Sequence, residues 1–240
     1  MSHSRTAIFA GVVFLLGAVC VRLGIWQLDR LAERRGNNAR IEARLAQPPL
    51  ELGGDLPDAA SLLHRQATAR GRFDASHEVV LLNRSRDGEP GVHLITPLQF
   101  EDGSGAILVD RGWIPLEDGT PAGRGAYASQ SVVEVKGVIL PREEEPRWSF
   151  LADDTPAPGE APLGEWRVLN VEGIQAQVPY PLLPVYLQLS DAPDGIQPIP
   201  GAPLDLSEGP HFGYAVQWFA FATTAYVGGV FWLRRRLRGK

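Results

Sequence analysis

Sulfur is almost missing from this chain. Of its 240 residues one is cysteine, Cys20, and one is methionine, Met1. A single cysteine excludes an internal disulfide framework and any CxxC redox or zinc site. Without a set of thiolates or thioethers the chain also lacks the soft ligands that copper(I) carriage needs. Catalytic signatures are missing as well. There is no G-x-S-x-G elbow, and Gly103-Ser104-Gly105 reads more simply as a hairpin turn after Glu101-Asp102. His64, His77 and His93 stand apart at strand starts, with no H-x-H or H-E-x-x-H pairing to hold zinc. Spacing alone does not make an acid–base pair of His77 and Glu78. The run Glu143-Glu144-Glu145 reads as a solvated loop. No catalytic residue is assigned, and an enzyme is not expected.

Charge is missing from two long stretches. Gly213 to Leu233 has none, and Ala7 to Ile25 has only Arg22. As helices these runs measure roughly 31 and 28 Å, enough to cross a hydrocarbon core. Trp26, Trp218 and Trp232 lie at or near their ends, where interfacial anchors belong. Two membrane spans are therefore expected, at residues 7–25 and 213–233. Arg5 ahead of the first run gives it the look of a signal peptide. However, Arg22-Leu23-Gly24-Ile25-Trp26 is a poor cleavage site and Cys20 lacks a lipoprotein context, so an uncleaved anchor is expected. The tail, residues 234–240, carries five positive charges and no acid. The positive-inside rule then places both termini in the cytoplasm of a two-pass cell inner membrane protein, with the intervening domain periplasmic. All 28 acids fall between Asp29 and Glu208, against 16 of the 23 Lys and Arg, a balance of −12. That sign argues against nucleic acid as a partner; membrane lipid is the expected one.

Residues 26–47 read as a helical extension of the first span, with Leu28, Leu31, Ile41 and Leu45 on one face. A loose break is expected at Gly36-Asn37-Asn38 and a stop at Pro48-Pro49. Residues 48–210 read as a β-rich periplasmic domain that opens on a loop at 55–60. Strands are expected at 65–73, 78–84, 93–100, 106–114, 132–140, 167–171 and 185–189, and a short helix at 171–178. The Pro-rich, acidic segments 143–162 and 191–203 read as irregular. The fold class is thus two transmembrane α-helices, N- and C-terminal, flanking a mainly antiparallel β domain of barrel or sandwich type, α+β overall. Arg111-Gly112-Trp113 closes a strong strand, and its glycine marks a bulge or a close backbone approach; Gly71 between Arg70 and Arg72 repeats that texture.

Helical spacing places His211, Ala215, Trp218, Ala222, Ala225 and Gly229 on one face of the second span. Ala10, Gly17 and Gly24 recur every seven residues on the first. Matching small stripes let two spans approach closely, and antiparallel packing is expected. Arg22, Trp26 and Gln27 would then lie level with His211, Tyr214, Gln217 and Trp218 at the outer surface. An imidazole there can serve as an axial ligand to haem iron, with aromatics flanking the ring and Arg22 pairing a propionate. Equally, His211 can sit among interfacial aromatics while Gln217 ties the helices together.

Three motifs carry a resemblance. Leu23-Gly24-x-Trp26-Gln27-x-x-Arg30, Arg111-Gly112-Trp113 and His211-x-x-Tyr214-x-x-Gln217-Trp218, in this two-span layout, resemble the surfeit-locus family of cytochrome c oxidase assembly factors. A lysine common in that family is here Arg34, and Glu208-Gly209-Pro210 stands where some members have asparagines. The resemblance implies a chaperone-like role in haem–copper oxidase assembly, around haem a of the largest subunit. It implies haem a as cofactor, with His211 as the ligand to iron. Expected partners are that subunit and a haem a biosynthetic enzyme. A cofactor-free adaptor that stabilises an assembly intermediate is the alternative. A periplasmic hydrolase, the third class, lacks any recognisable nucleophile or metal set.

Overall fold

The computed structural model describes residues 3–54, 58–129, 131–142, 153, 156, 161–190 and 198–238. It divides into two units, Met1–Ile41 with Asp205–Lys240, and Glu42–Leu204. The acidic run 143–145, most of 143–162 and residues 191–197 fall outside the described residues.

The first unit is a helix pair, α1 (His3–Leu45) and α5 (His211–Arg238). Among the described residues one helix, Thr6–Leu45, is long and apolar enough to cross a membrane by length and composition, as in a membrane-anchored protein. The helices run antiparallel. Phe9 meets Trp232 with ring centroids 4.5 Å apart, and Phe14 meets Tyr226 at 5.4 Å. Gly17, Gly24, Ala215, Ala222 and Gly229 are all buried, so the two small stripes do face one another. They do not bring backbone to backbone, however. Each glycine is a notch that seats a side chain. A Cβ on Gly17 would lie 2.7 Å from the Tyr226 ring, one on Gly24 2.7 Å from the Phe219 ring, and one on Gly229 2.9 Å from Val13.

The loose break expected at Gly36-Asn37-Asn38 is absent, and α1 runs unbroken to Leu45. An asparagine weakens a helix by bonding its own backbone. The Asn38 amide instead donates to the carbonyls of Leu206 and Ser207, at 2.6 and 3.2 Å, so it does not compete with the helix.

The second unit is a β-barrel with flanking strands. In chain order its elements are β1 (Leu50–Leu52), α2 (Ala59–Leu62), β2 (Gln66–Phe73), β3 (Val79–Arg86), β4 (Glu89–Phe100), β5 (Ala106–Pro115), α3 (Pro121–Arg124), β6 (Val132–Pro141), β7 (Glu165–Trp166), α4 (Val171–Gln175) and β8 (Leu182–Leu189). Five strands close in the order β2-β6-β8-β5-β4, and β2 returns to β4 through Gly71↔Phe100, Arg72↔Gln99 and Phe73↔Leu98. Closure needs a glycine at the corner: a Cβ on Gly71 would lie 2.0 Å from the Gln99 carbonyl oxygen. Antiparallel pairings predominate, with parallel contacts at β1–β2, β3–β7 and β5–β8.

Strand β5 is buried along nearly its whole length. Ile107 and Val109 join the barrel interior with Leu98, Ile139 and Leu187. Leu108 faces the other side, among Leu81, Ile95, Trp166 and Ile174. Burial on both faces explains why Ile107-Leu108-Val109 is a continuous apolar run rather than an alternation.

Two expectations fail here. The strand at 167–171 is replaced by the two-residue β7 and a turn. The Asp153 carboxylate accepts from the Arg167 and Val168 N–H groups at 2.7 and 3.1 Å, which takes those donors away from any ladder. Asn170 then caps α4 by accepting from Gly173 N at 2.9 Å. The loop expected through residue 60 is interrupted by the short α2, which begins at Ala59; residues 55–57 lie outside the described residues.

Candidate functional site

Of the seven candidate residues, two meet. His211 opens α5, and its Nδ1 lies 2.9 Å from Gln27 Oε1 on α1. With the amide oxygen as acceptor, Nδ1 carries the proton and Nε2 keeps its lone pair. Such a nitrogen is the form in which imidazole binds a metal. Two residues before it stands a glycine in the left-handed region, Gly209, with φ +68°. A Cβ there would stand 3.6 Å from Cδ2 and 3.8 Å from Nε2 of His211, so the glycine leaves the Nε2 edge uncrowded. A neutral imidazole with its Nε2 lone pair free is a donor that would suit haem iron. Among the described residues no group of three or more His, Cys, Asp or Glu could hold a metal ion by itself.

The segment leading to His211 is strapped to α1. Arg34 donates from Nε to the Ser207 carbonyl at 3.0 Å and from Nη2 to the Asp205 carbonyl and carboxylate, both at 3.3 Å. Arg35 forms a two-pronged pair with Glu208 at 2.7 and 2.8 Å. Asn38, buried, holds Leu206 and Ser207. The departure noted at Arg34 therefore keeps a function: its planar fork reaches three oxygens, which a lysine ammonium spreads over less well. Hydrogen bonds from Ser207 and the Arg34 charge hold the Asp205 carboxyl below its usual range, and the Arg35 guanidinium does the same for Glu208. These partners lie 168 to 173 residues apart in sequence, and nothing in the linear pattern pointed to them.

The other five candidates do not join the pair. Arg22, Tyr214 and Gln217 are exposed. Trp26 lies under Arg30, with the guanidinium carbon 5.9 Å from its ring, and Trp218 makes an edge contact with Phe221 at 5.9 Å. Among the described residues no hydrogen bond or ring contact ties these five to His211 or Gln27.

The barrel unit carries polar clusters that sequence reasoning missed. Arg111 is not presented at a strand end, because β5 continues to Pro115 and turns it inward. It pairs with buried Glu78 at 3.3 Å, stacks on Phe73 at 4.7 Å and donates to the Tyr127 carbonyl at 2.6 Å. Burial pushes the Glu78 carboxyl up, against the opposing pull of Thr96 and Arg111. The expected bulge is real: pairing shifts between Leu94 and Ile95 opposite Gly112 and Asp110. Gly112 has φ +116°, and a Cβ there would lie 2.0 Å from the Ile199 carbonyl oxygen. His77 bonds Asp74 at 2.7 Å rather than its neighbour Glu78, and His93 bonds Asp110 at 2.9 Å. The Arg111–Glu78 and His93–Asp110 pairings depend on strand register, which spacing along the chain does not reveal; the His77–Asp74 bond is local, three residues apart around a single turn.

A family model described as the SURF1 family matches residues 14–223. The chain belongs to the SURF1 family. Surfeit locus protein 1 of Homo sapiens is 26% identical over 247 residues, spanning 95% of this chain and 77% of that protein. A SURF1-like protein of Monosiga brevicollis is 25% identical over 226 residues, 89% of this chain and 83% of its own. For Surfeit locus protein 1 of Takifugu rubripes the figures are 26% over 232 residues, 90% and 93%. The SURF1 match runs through Gln27, the Arg111-Gly112-Trp113 bulge and His211 to Trp218, so both halves of the site lie inside it.

Proposed function

We propose that this SURF1-family protein is an assembly factor for haem–copper cytochrome c oxidase that holds haem a at His211 for the largest oxidase subunit. The observation that carries the reading is the His211–Gln27 bond. It joins the first and last family motifs and leaves Nε2 as the ligating nitrogen. Bound haem would supply an iron that His211 would hold through its imidazole nitrogen. The chain's own part is to hold that nitrogen still: Gln27 fixes one side of the ring, and the strap from Arg34, Arg35 and Asn38 fixes the backbone before it. Trp26, Tyr214, Gln217 and Trp218 would border the haem, and Arg22 would meet a propionate. No catalytic role is assigned.

The same reading makes α5 a second span. Its residues from Phe212 to Leu233 are uncharged, Phe212, Val216, Phe221, Val227 and Phe231 are exposed on it, and Arg234, Arg235, Arg236 and Arg238 follow. Tyr214, Gln217, Thr223, Thr224 and Tyr226 lower its apolar character, although both threonines bond their own helix carbonyls at 2.8 and 2.9 Å. Both termini would then lie in the cytoplasm, in a two-pass protein of the cell inner membrane with residues 48–210 in the periplasm. A haem a biosynthetic enzyme is the expected donor.

Detergent-purified protein from a haem-a-producing host should show a Soret band and a haem a pyridine haemochrome. His211→Ala should lose most of both. Unchanged haem content in that variant would favour the cofactor-free adaptor, in which His211 and Gln27 merely tie the helices.

A further inference from the structure

We propose that Gln27 is a positioning residue that selects the tautomer of His211, and so decides which imidazole nitrogen is offered to a ligand. The consequence for haem rests on the reading of His211 as the haem ligand; the tautomer itself does not.

A neutral imidazole carries one proton, on Nδ1 or on Nε2, and in water the side chain favours Nε2. With the proton there, Nε2 has no lone pair to give. The 2.9 Å contact between His211 Nδ1 and Gln27 Oε1 reverses that preference, because the amide oxygen only accepts and requires a proton on Nδ1. Second-partner bonds of this kind fix tautomer and ring orientation in metal-binding histidines. Two further features point the same way. The strap from Arg34, Arg35 and Asn38 to residues 205–208 immobilises the backbone before Gly209, so the imidazole enters the contact at a set height on α1. Gly209 then leaves the Nε2 edge uncrowded. One edge of the ring is bonded, and beside the other Gly209 places no side chain. Gln27 is half-buried, which shields its bond from competing water.

The test begins without haem. Full-length protein labelled with 15N-histidine, in detergent and above the pH of imidazole protonation, is compared as wild type, Gln27→Glu, Gln27→Leu and His211→Ala. The His211 resonances, identified by their loss in His211→Ala, should report Nδ1–H in wild type and in Gln27→Glu, since a carboxylate can only accept. Gln27→Leu should move them to Nε2–H. Haem a titrated into the same proteins should bind Gln27→Leu about 10- to 100-fold more weakly than wild type, with Gln27→Glu restored. Nε2–H in the wild type overturns the proposal. So does weakened haem binding in Gln27→Leu with the tautomer unchanged, which is what a purely structural glutamine would give. Haem retained by His211→Ala refutes the haem reading instead, and leaves the tautomer result standing.

Discussion

Asp74→Asn isolates one carboxylate at the centre of a dense acceptor cluster. Its side chain is 13% exposed. Oδ2 accepts from His77 Nδ1 at 2.7 Å, from the Tyr180 hydroxyl at 2.7 Å and from Gln99 Nε2 at 3.3 Å, and Oδ1 accepts from Ser76 N at 3.0 Å and from the Ser76 hydroxyl. Burial on its own would raise the carboxyl, but the bonds from Ser76, Tyr180 and His77 outweigh it and bring the group from 3.8 down to about 2. That difference corresponds to about 2.5 kcal/mol of stability for the ionised form. The sign follows from the depression. The folded protein binds this proton less tightly than the unfolded chain, so the contribution is complete above the unfolded value of 3.8 and fades as pH falls toward 2; about half of it is gone by pH 3. Asparagine keeps one acceptor oxygen, so the variant should lose about 1–2.5 kcal/mol at neutral pH rather than more. The assay is urea unfolding of the full-length protein in mild detergent, followed by the fluorescence of buried Trp113 and Trp166. The gap between wild type and variant should be present at pH 7 and 5 and should shrink between pH 5 and pH 3. A gap independent of pH, or none at pH 7, refutes the account of Asp74.

Two further outcomes follow from the packing. Gly24→Leu should destabilise the helix pair by about 1–3 kcal/mol in a detergent-unfolding titration, because its side chain must displace the Phe219 ring; Gly11→Leu, where a Cβ meets nothing within 4 Å, should be neutral. Arg111→Met should cost about 3 kcal/mol in the urea assay, the low end for a broken buried pair, because Glu78 loses its ion-pair partner and keeps only the field of Arg124; the double change with Glu78→Gln should recover part of that. Equal losses in single and double variants would show the pair to be uncoupled.

Much of the barrel was legible because β-type runs bounded by Gly, Pro and Asp report strands through purely local chemistry. Six of the seven expected strands match β2, β3, β4, β5, β6 and β8 to within a few residues. The early start of β4 at Glu89 also had a local signal. Asp87-Gly88 is a hairpin dipeptide, and both residues have positive φ, 52° and 86°. The failure at 167–171 had none, because the group that diverts its N–H donors, Asp153, lies 14 and 15 residues upstream. The same distinction divides the site. His211 and Gln27 stood in motifs and were both named, but their bond depends on how two helices 184 positions apart are registered. The strap was illegible for that reason, and the five candidates that make no hydrogen bond or ring contact with the pair were grouped by level along a helix.

Register is itself set by residues that are readable. On α1, Gly17, Gly24, Leu31 and Asn38 are buried and spaced by seven, and Cys20, Gln27, Arg34 and Ile41, each three further on, are half-buried. These are the two lines of a heptad seam. Along it the demands change in order: glycines seat Tyr226 and Phe219, Gln27 then meets His211, and Arg34 and Asn38 take hold of residues 205–208. A slide of one residue would drive a helix Cβ into a ring at both notches, which costs more than any single polar bond at the outer end. The notches therefore fix the height at which α5 begins, and Gln27 follows Gly24 by three residues, less than one turn away. The strap from Arg34, Arg35 and Asn38 then holds the polar site at the height the notches set. Its geometry is inherited from the apolar seam below it, because the run Gly24-Ile25-Trp26-Gln27 joins the packing glycine to the imidazole partner within one turn.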